Sequence, residues 1–444
     1  MNYIPNSSEM RNRMLEEIGV PDFESLIKTV PASLRLKRML NLPGPLSELE
    51  LEREIRTIAA RNAGVDICFA GAGAYDHFVP AAVDHVLLRP EYYTAYTPYQ
   101  AEVSQGTLQT MYEFQSFISR ISGMAVTSAS MYDGATALAE AVLMAVSHTG
   151  RKEILISHSV NPNYLETVKT YISGLSVSVK LVGLLDGVTD FAQLKSRLSG
   201  KTAAVVLQSP NFLGQIERIA DGVSDIKNCG AILIDIYDPL SLGILSSAGE
   251  MGADIAVAEG QCLGLSMNYG GPYLGLLSAR REFIRRMPGR LSGRTKDKEG
   301  RVGYVMTLQT REQHIRRERA TSNICTNQAL CALAASVYLS LLGPRGLEKV
   351  GGLCLTKAHY AADKISELPG FSMKFKGPFF KEFVIETPIA PNRLIGKLSK
   401  KGILAGVDMG KFKLGLKGCL MVAVTEKRSK QQIDDLTYEL SKII

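Results

Sequence analysis

The chain has 444 residues, 45% of them hydrophobic and 21% charged, with a formal net charge of +7 and a mean hydropathy of +0.04. That balance excludes a disordered chain, and the length suits a large α/β domain with a smaller appendage. The positive charge gathers at Arg280–Arg281, at Arg285–Arg286 and from Arg311 to Arg319; it favours an anionic ligand or an acidic partner surface, and with no helix-turn-helix, zinc-finger or aromatic single-strand motif beside it, nucleic acid is not expected.

The N-terminal MNYIPNSSEMRNRM lacks the apolar run of a signal peptide. Residues 1–60 read as an amphipathic helical arm: Met14 and Ile18, then Leu51, Ile55 and Ile58, recur at helical spacing, with Pro43 and Pro45 breaking the run. Seven cysteines, at 68, 229, 262, 325, 331, 354 and 419, form no CxxC pair. Neither a disulfide framework nor a metal site is expected, and a reducing cytoplasm suits them.

A large domain is expected over 61–330. GTLQTMYEFQSFISRISG puts Leu108, Met111, Gln115, Ile118 and Ile121 on one helical face, and a second helix follows SASMYDG with Leu138, Ala141, Val142, Ala145 and Val146 as its stripe. Its apolar stretch AEAVLMAVSH is too short to span a bilayer, and no membrane segment is expected. EILIS, VKLVGLL, TAAVVLQ, AILIDI, DIAVAE and PYLGLLS then alternate with helical stretches such as NPNYLETVKTYIS. This pattern predicts an α/β fold, a mostly parallel sheet with helices on both faces. Two apolar helices follow Thr326, and residues 331–444 lead into a smaller α+β domain: FSMKFKGPFFKEFVIETP, ILAGVDMG and CLMVAVTE read as antiparallel strands, and KQQIDDLTYELSKII as a closing helix.

Ligands of an open parallel sheet bind at the carboxyl ends of its strands, so the residues there are the first candidates. Ser130 to Thr136, including Gly134, stands at a helix N-terminus suited to a phosphate. His158 ends one strand, Asn211 and Gly214 follow the next, and Asp235 ends AILID. Each has a plainer reading: Ser and Asp before a helix are N-caps, a strand-end Asp caps turns, and a lone His is more often structural.

The order of these features resembles the aspartate-aminotransferase-like, fold type I group of pyridoxal-phosphate enzymes. YTAYTPYQAEVSQGTLQTMYEFQ, SASMYDGATALAEA, NYGGPYLGLL, MPGRLSGRT and LQTREQHIRRERATSNICTNQAL further resemble glycine decarboxylase, the P-protein of the glycine cleavage system, and within it the first chain of the two-chain form. The resemblance covers essentially the whole chain. It implies decarboxylation of glycine with transfer of the aminomethyl group to the lipoyl arm of H-protein, and a two-plus-two assembly with a lysine-bearing second subunit that holds the pyridoxal phosphate. The segment GADIAVAEGQCLGLSMNYGGP matches that lysine region, yet no lysine occurs between Lys227 and Lys296. Gln261 and Cys262 stand there instead, and neither forms the exchangeable imine that anchors the cofactor. A pocket formed by Ser130, Gly134, His158, Asn211, Asp235, Gln261 and Cys262 is then expected to be vestigial.

Sites of this fold group usually cross a subunit interface, which directs attention to polar loops. Tyr96, Thr97, Tyr99, Gln100, Glu102, Ser104 and Gln105 offer hydroxyls, amides and a carboxylate that could orient glycine or the acceptor thiol, or could be only a turn into the following helix. Arg311 and His314, in an arginine-rich run, suit carboxylate or phosphate recognition or a plain charged surface. Thr321, Ser322 and Asn323 could reach a partner-bound cofactor phosphate or could cap the next helix. The alternative to an enzyme subunit is a silent scaffold that docks the partner and the carrier.

Overall fold

Local chemistry sets the first helices. In the computed structural model, which describes residues 6–62, 64–324 and 328–443, Ser7 accepts the Met10 N–H and Gly19 ends helix α1 (Ser8–Ile18) at φ +77°. Ser47 and Glu50 form a reciprocal cap at the start of α2 (Glu48–Ala59). Neither helix buries a residue, and Met14, Ile18, Leu51, Ile55 and Ile58 are all exposed. Both belong to one compact unit, Met1–Ala63; the remainder, Gly64–Ile444, forms a second.

The second unit is built on a seven-stranded sheet: β1 (Val126–Thr127), β2 (Glu153–Ser157), β3 (Ser178–Val182), β4 (Thr202–Ser209), β5 (Ile232–Tyr237), β6 (Ile255–Glu259) and β7 (Gly275–Ala279), in the order β1-β7-β6-β5-β4-β2-β3. Strands β6, β5, β4, β2 and β3 run parallel, and β7 lies antiparallel between β1 and β6. Every residue of β2 and β5 is buried, as central strands covered on both faces must be.

Helices cover both faces. On one side α3 (Gln105–Ser122) packs Phe114 and Ile118 with Leu155 of β2 and Leu233 of β5. Gln115, the polar residue in its apolar stripe, is buried because its amide exchanges two hydrogen bonds with the Ser292 backbone, at 3.0 and 2.9 Å. On the other side α4 (Gly134–Thr149) and α5 (Pro162–Ile172) pack Leu138, Val142, Leu165 and Val168 against Ile154, Ile234 and Val257. The long helix α6 (Ala329–Ser366) joins the first face through Ala332 and Tyr338; it kinks at Gly343, φ +57°, before Pro344, where the sequence placed the break between two helices. Among the described residues it is the one helix apolar and long enough to cross a membrane by length and composition, with 44% of that window buried in this fold. Cys325, Thr326 and Asn327, within the expected cap of this helix, lie outside the described residues.

Past α6, four antiparallel strands, β8 (Ser372–Met373), β9 (Glu382–Glu386), β10 (Val407–Asp408) and β11 (Cys419–Ala423), pair in the order β8-β9-β11-β10, and α7 (Lys430–Ser441) closes the chain. Phe69 sits in this C-terminal core, and Ile67–Cys68 pairs in parallel with Ile403–Leu404. Residues 71–77 therefore leave the C-terminal layer directly for the carboxyl edge of the large sheet.

Gly214, after β4, presses against β9: at φ +85° a Cβ there would lie 2.0 Å from the Glu382 carbonyl oxygen. Gly214→Ala is expected to destabilise the chain by more than about 1 kcal/mol, because strained backbone and overlap with a main chain act together. Urea unfolding measures it.

Candidate functional site

The carboxyl ends of β4, β5 and β6 open into a cavity closed from above by residues 73–75 and the start of β9. Tyr75, Asn161, Tyr164, Asn211, Asp238, Glu259, Gln261, Cys262, Lys381 and Glu382 line it, and the space left inside for water is about 50 Å³, enough for roughly three molecules. The cavity lies where ligands of open α/β sheets bind.

One cation dominates this place. The Lys381 ammonium is buried, 2.6 Å from Asp238 Oδ2, 3.1 Å from His77 Nε2 and 3.6 Å from the centre of the Tyr75 ring. Burial acts to lower its pKa, but Asp238, with smaller contributions from Cys262 and Cys354, leaves it raised. His77 is driven the other way by burial and by the charge of Lys381, so the neutral ring accepts from Lys381 and donates Nδ1–H to Glu426 Oε2 at 2.6 Å. Burial opposes the charge on Glu426, yet the bond from His77 and the Phe78 N–H hold its pKa down at about 2. His77, Cys354 and Glu426 are a metal-ligand set by type, but Lys381 and the shared proton already use both ring nitrogens.

The α4 N-terminus is also occupied from within. Asp133 takes the Thr136 N–H at 2.7 Å, and the Gly134 N–H donates to Glu259 Oε2 at 3.0 Å. The N–H groups of Gln261 and Leu274 donate to Glu259 Oε1 at 3.0 and 3.2 Å. Burial pushes the Glu259 carboxyl up to about 8, against these three donors. A Cβ on Gly134 would meet the Tyr164 hydroxyl at 2.3 Å, so the glycine admits that ring.

The cavity brings together Asn211, Gly214, Gln261 and Cys262; Ser130, Gly134, His158 and Asp235 do not line it. Ser130 Oγ accepts the Gln328 N–H, and Asn211 donates to Glu217 and the Gly187 carbonyl. The Gln261 amide is spent on the backbone of Tyr75 and Leu265. Asp235 is buried with Oδ1 lacking a hydrogen-bond partner among the described residues, and burial, then the charge of Glu217, raises its pKa to about 7. The residues missed from sequence are Tyr75, His77, Asp238, Glu259, Lys381 and Glu382. The one available signal was a charged Lys381–Glu382 pair inside the apolar run FFKEFVI, a pattern that demands buried partners.

The loop residues lie elsewhere. Tyr96 and Tyr99 are 74% and 67% exposed, Gln100 and Glu102 are exposed, and Gln105 ties α3 to the hairpin strand Val302–Met306 through Tyr304. Thr97 and Ser104 are half-buried. Arg311 turns its guanidinium inward, onto the carbonyls of Leu308, Gly289 and Met287. His314 Nδ1 lies 3.6 Å from Glu312. Ser322 donates to Glu140 at 2.8 Å beside Thr321 and Asn323, which share a surface pocket with Tyr132 and Tyr171. Burial raises the Glu140 carboxyl to about 7.

A family model described as "Glycine cleavage system P-protein" matches residues 1–440. The chain is 49% identical over 445 residues to the "Probable glycine dehydrogenase (decarboxylating) subunit 1" of Desulforamulus reducens and 50% identical over 445 residues to that of Moorella thermoacetica, covering 100% of both chains in each case. It superimposes on a crystal structure of glycine decarboxylase (P-protein) in inhibitor-bound form with a TM-score of 0.91, at 38% identity and 100% coverage of both chains. A Lactobacillus brevis glutamate decarboxylase, at 12% identity, TM-score 0.70 and coverage of 92% of this chain and 95% of its own, shares the fold.

Lys381→Met leaves Asp238 partly buried without its cation, and a loss of about 3–5 kcal/mol is expected in chemical denaturation. Asp235 and Glu426 give opposite pH dependences. Asp235 binds its proton more tightly when folded, so its contribution is complete below its ordinary pKa of 3.8 and is lost as pH rises through about 7. Glu426 contributes fully above 4.5 and is lost as pH falls through about 2. Asp235→Asn should therefore flatten the decline in stability between about pH 4 and 7 and leave the acid limb unchanged; unfolding curves across that range decide it.

Proposed function

The chain belongs to the glycine cleavage system P-protein family, and from that premise we propose that it is the lysine-lacking subunit of a two-chain glycine dehydrogenase (decarboxylating). The full-length identity with chains called subunit 1 carries this reading. In it, glycine loses its carboxyl group as carbon dioxide, and the remaining aminomethyl group passes to the lipoyl arm of H-protein. Pyridoxal phosphate, the electron sink for the decarboxylation, would sit on the lysine-bearing partner subunit in a two-plus-two assembly. The cup of this chain does not fit the group: Cys262 stands in the lysine region, the charge of Lys381 is held by Asp238, and the cavity is a few waters in size.

This chain's share would be to complete the partner's site from outside. The exposed side chains of Tyr99, Gln100 and Glu102, with Tyr96 and Thr97, are proposed to bind and orient substrate or the incoming thiol and to keep water out, and Ser104 and Gln105 to fix the loop on α3. His314 and Thr321, Ser322 and Asn323 are proposed at the same interface, Thr321 to Asn323 toward the cofactor phosphate. Arg311, with its donors on three carbonyls, would act as a positioning residue. The arm of residues 1–60 would cover its exposed apolar faces on the partner. The six described cysteines are all free, which supports a cytoplasmic enzyme. A silent scaffold is the second reading, favoured by the inward turn of Arg311 and the filled cup.

Glycine–bicarbonate carbon exchange with pyridoxal phosphate and H-protein separates the two. Activity is expected only when both subunits are mixed; full activity of the partner alone would leave this chain a scaffold. In the mixed enzyme, Glu102→Ala is expected to lower exchange on the order of 10²-fold while the subunits still co-purify.

A further inference from the structure

A helix N-terminus at the carboxyl edge of a parallel sheet is a seat for a phosphate, because its first N–H groups are unpaired and its dipole favours negative charge. In this chain the seat is taken. We infer that the Glu259 carboxyl is a built-in occupant of the phosphate position, and that this chain consequently takes up neither pyridoxal phosphate nor inorganic phosphate.

Three observations carry this beyond the missing lysine. Glu259 bridges the Gly134 N–H of α4 and the N–H groups of Gln261 and Leu274, so its two oxygens receive the donors that a phosphate would need. The Tyr164 hydroxyl fills the space above Gly134, the approach by which a phosphate would reach the helix. On the far side of the cavity, the Lys381 ammonium meets Asp238, His77 and the Tyr75 ring, which leaves no unprotonated amine facing the cavity for a carbonyl ligand. A carboxyl acceptor at the helix end and a cation at the strand ends are thus both supplied by side chains. The cup is complete in itself, and its work is to hold α4, β6, β7 and the C-terminal layer in register. The inference deepens the proposal that the cofactor belongs to the partner subunit and rests on the same fold assignment.

The test uses the full chain, alone and with its partner. Equilibrium dialysis against pyridoxal phosphate, followed by borohydride reduction and peptide mass analysis, is expected to show no saturable uptake and no modified lysine in the isolated chain, and one cofactor per pair of subunits in the complex. One-to-one uptake by the isolated chain, or a reduced adduct on Lys381, would overturn the inference. In a second arm the melting temperature is followed against inorganic phosphate. The native chain should not respond, whereas Glu259→Ala, with the three donors freed, should show a saturable rise. A folded Glu259→Ala chain indifferent to phosphate would also sink the idea; if that variant does not fold, the uptake measurement on the native chain decides alone. Glycine–bicarbonate exchange reports on the proposed function separately, since the mixed enzyme could fail there while the isolated chain still excludes the cofactor.

Discussion

A primary ammonium stays charged inside a protein only where an anion and further acceptors replace its water, and Lys381 has both. Asp238, from the end of β5, supplies the charge; His77 supplies a lone pair, and the Tyr75 ring a negative face. Because Lys381 precedes β9 and His77 leans on Glu426 after β11, this one cation ties the carboxyl edge of the large sheet to the C-terminal layer. Removing it would leave a carboxylate facing low dielectric at the junction. The Gly214 turn, the Tyr75 backbone on Gln261 and the Tyr75 hydroxyl on Glu382 are arranged within reach of the same junction.

The edge of a parallel sheet is where this fold must place polar groups, since strand ends and helix starts meet there with unpaired donors. A cofactor-holding chain answers many of those donors with its ligand. Here the donors find Glu259, Asp133 and Ser130, and the strand-end acids find Lys381 and backbone N–H groups. Asp235 is the exception: buried, with one oxygen unanswered among the described residues, and with a raised pKa, it keeps the cost of a buried acid.

The sheet and its flanking helices were legible in the sequence because each rests on local periodicity. The stripe of Leu108, Met111 and Ile118 is buried as read, and Gly343–Pro344 marks the break it promised. Gln115 could not be explained from the stripe, since its partner Ser292 lies 177 residues away. The site was less legible for the same reason. The strand-end residues Asn211, Gln261 and Cys262 could be found by following the strands, but Lys381 lies 119 positions beyond Cys262 and reaches the cavity only through the docking of the C-terminal layer. A search for lysine near β6 finds none, while the fold delivers one from a different layer.

That delivered lysine sharpens what the loss of an anchoring lysine means. An amine able to form an imine must be near its substrate and must shed its proton; burial favours the shedding, and a neighbouring carboxylate opposes it. Lys381 is buried, yet its pKa is raised, with Asp238 the foremost group opposing the effect of burial. The side chain is thereby fixed as a structural ion. The arrangement agrees with the proposal that the cofactor belongs to a partner subunit, because a second reactive amine in a second cup would compete for the same aldehyde. The chain keeps the scaffold of the fold and fills its own cup with Glu259 and Lys381, while Tyr99 of the loop and Leu51, Ile55 and Ile58 of the arm stay exposed.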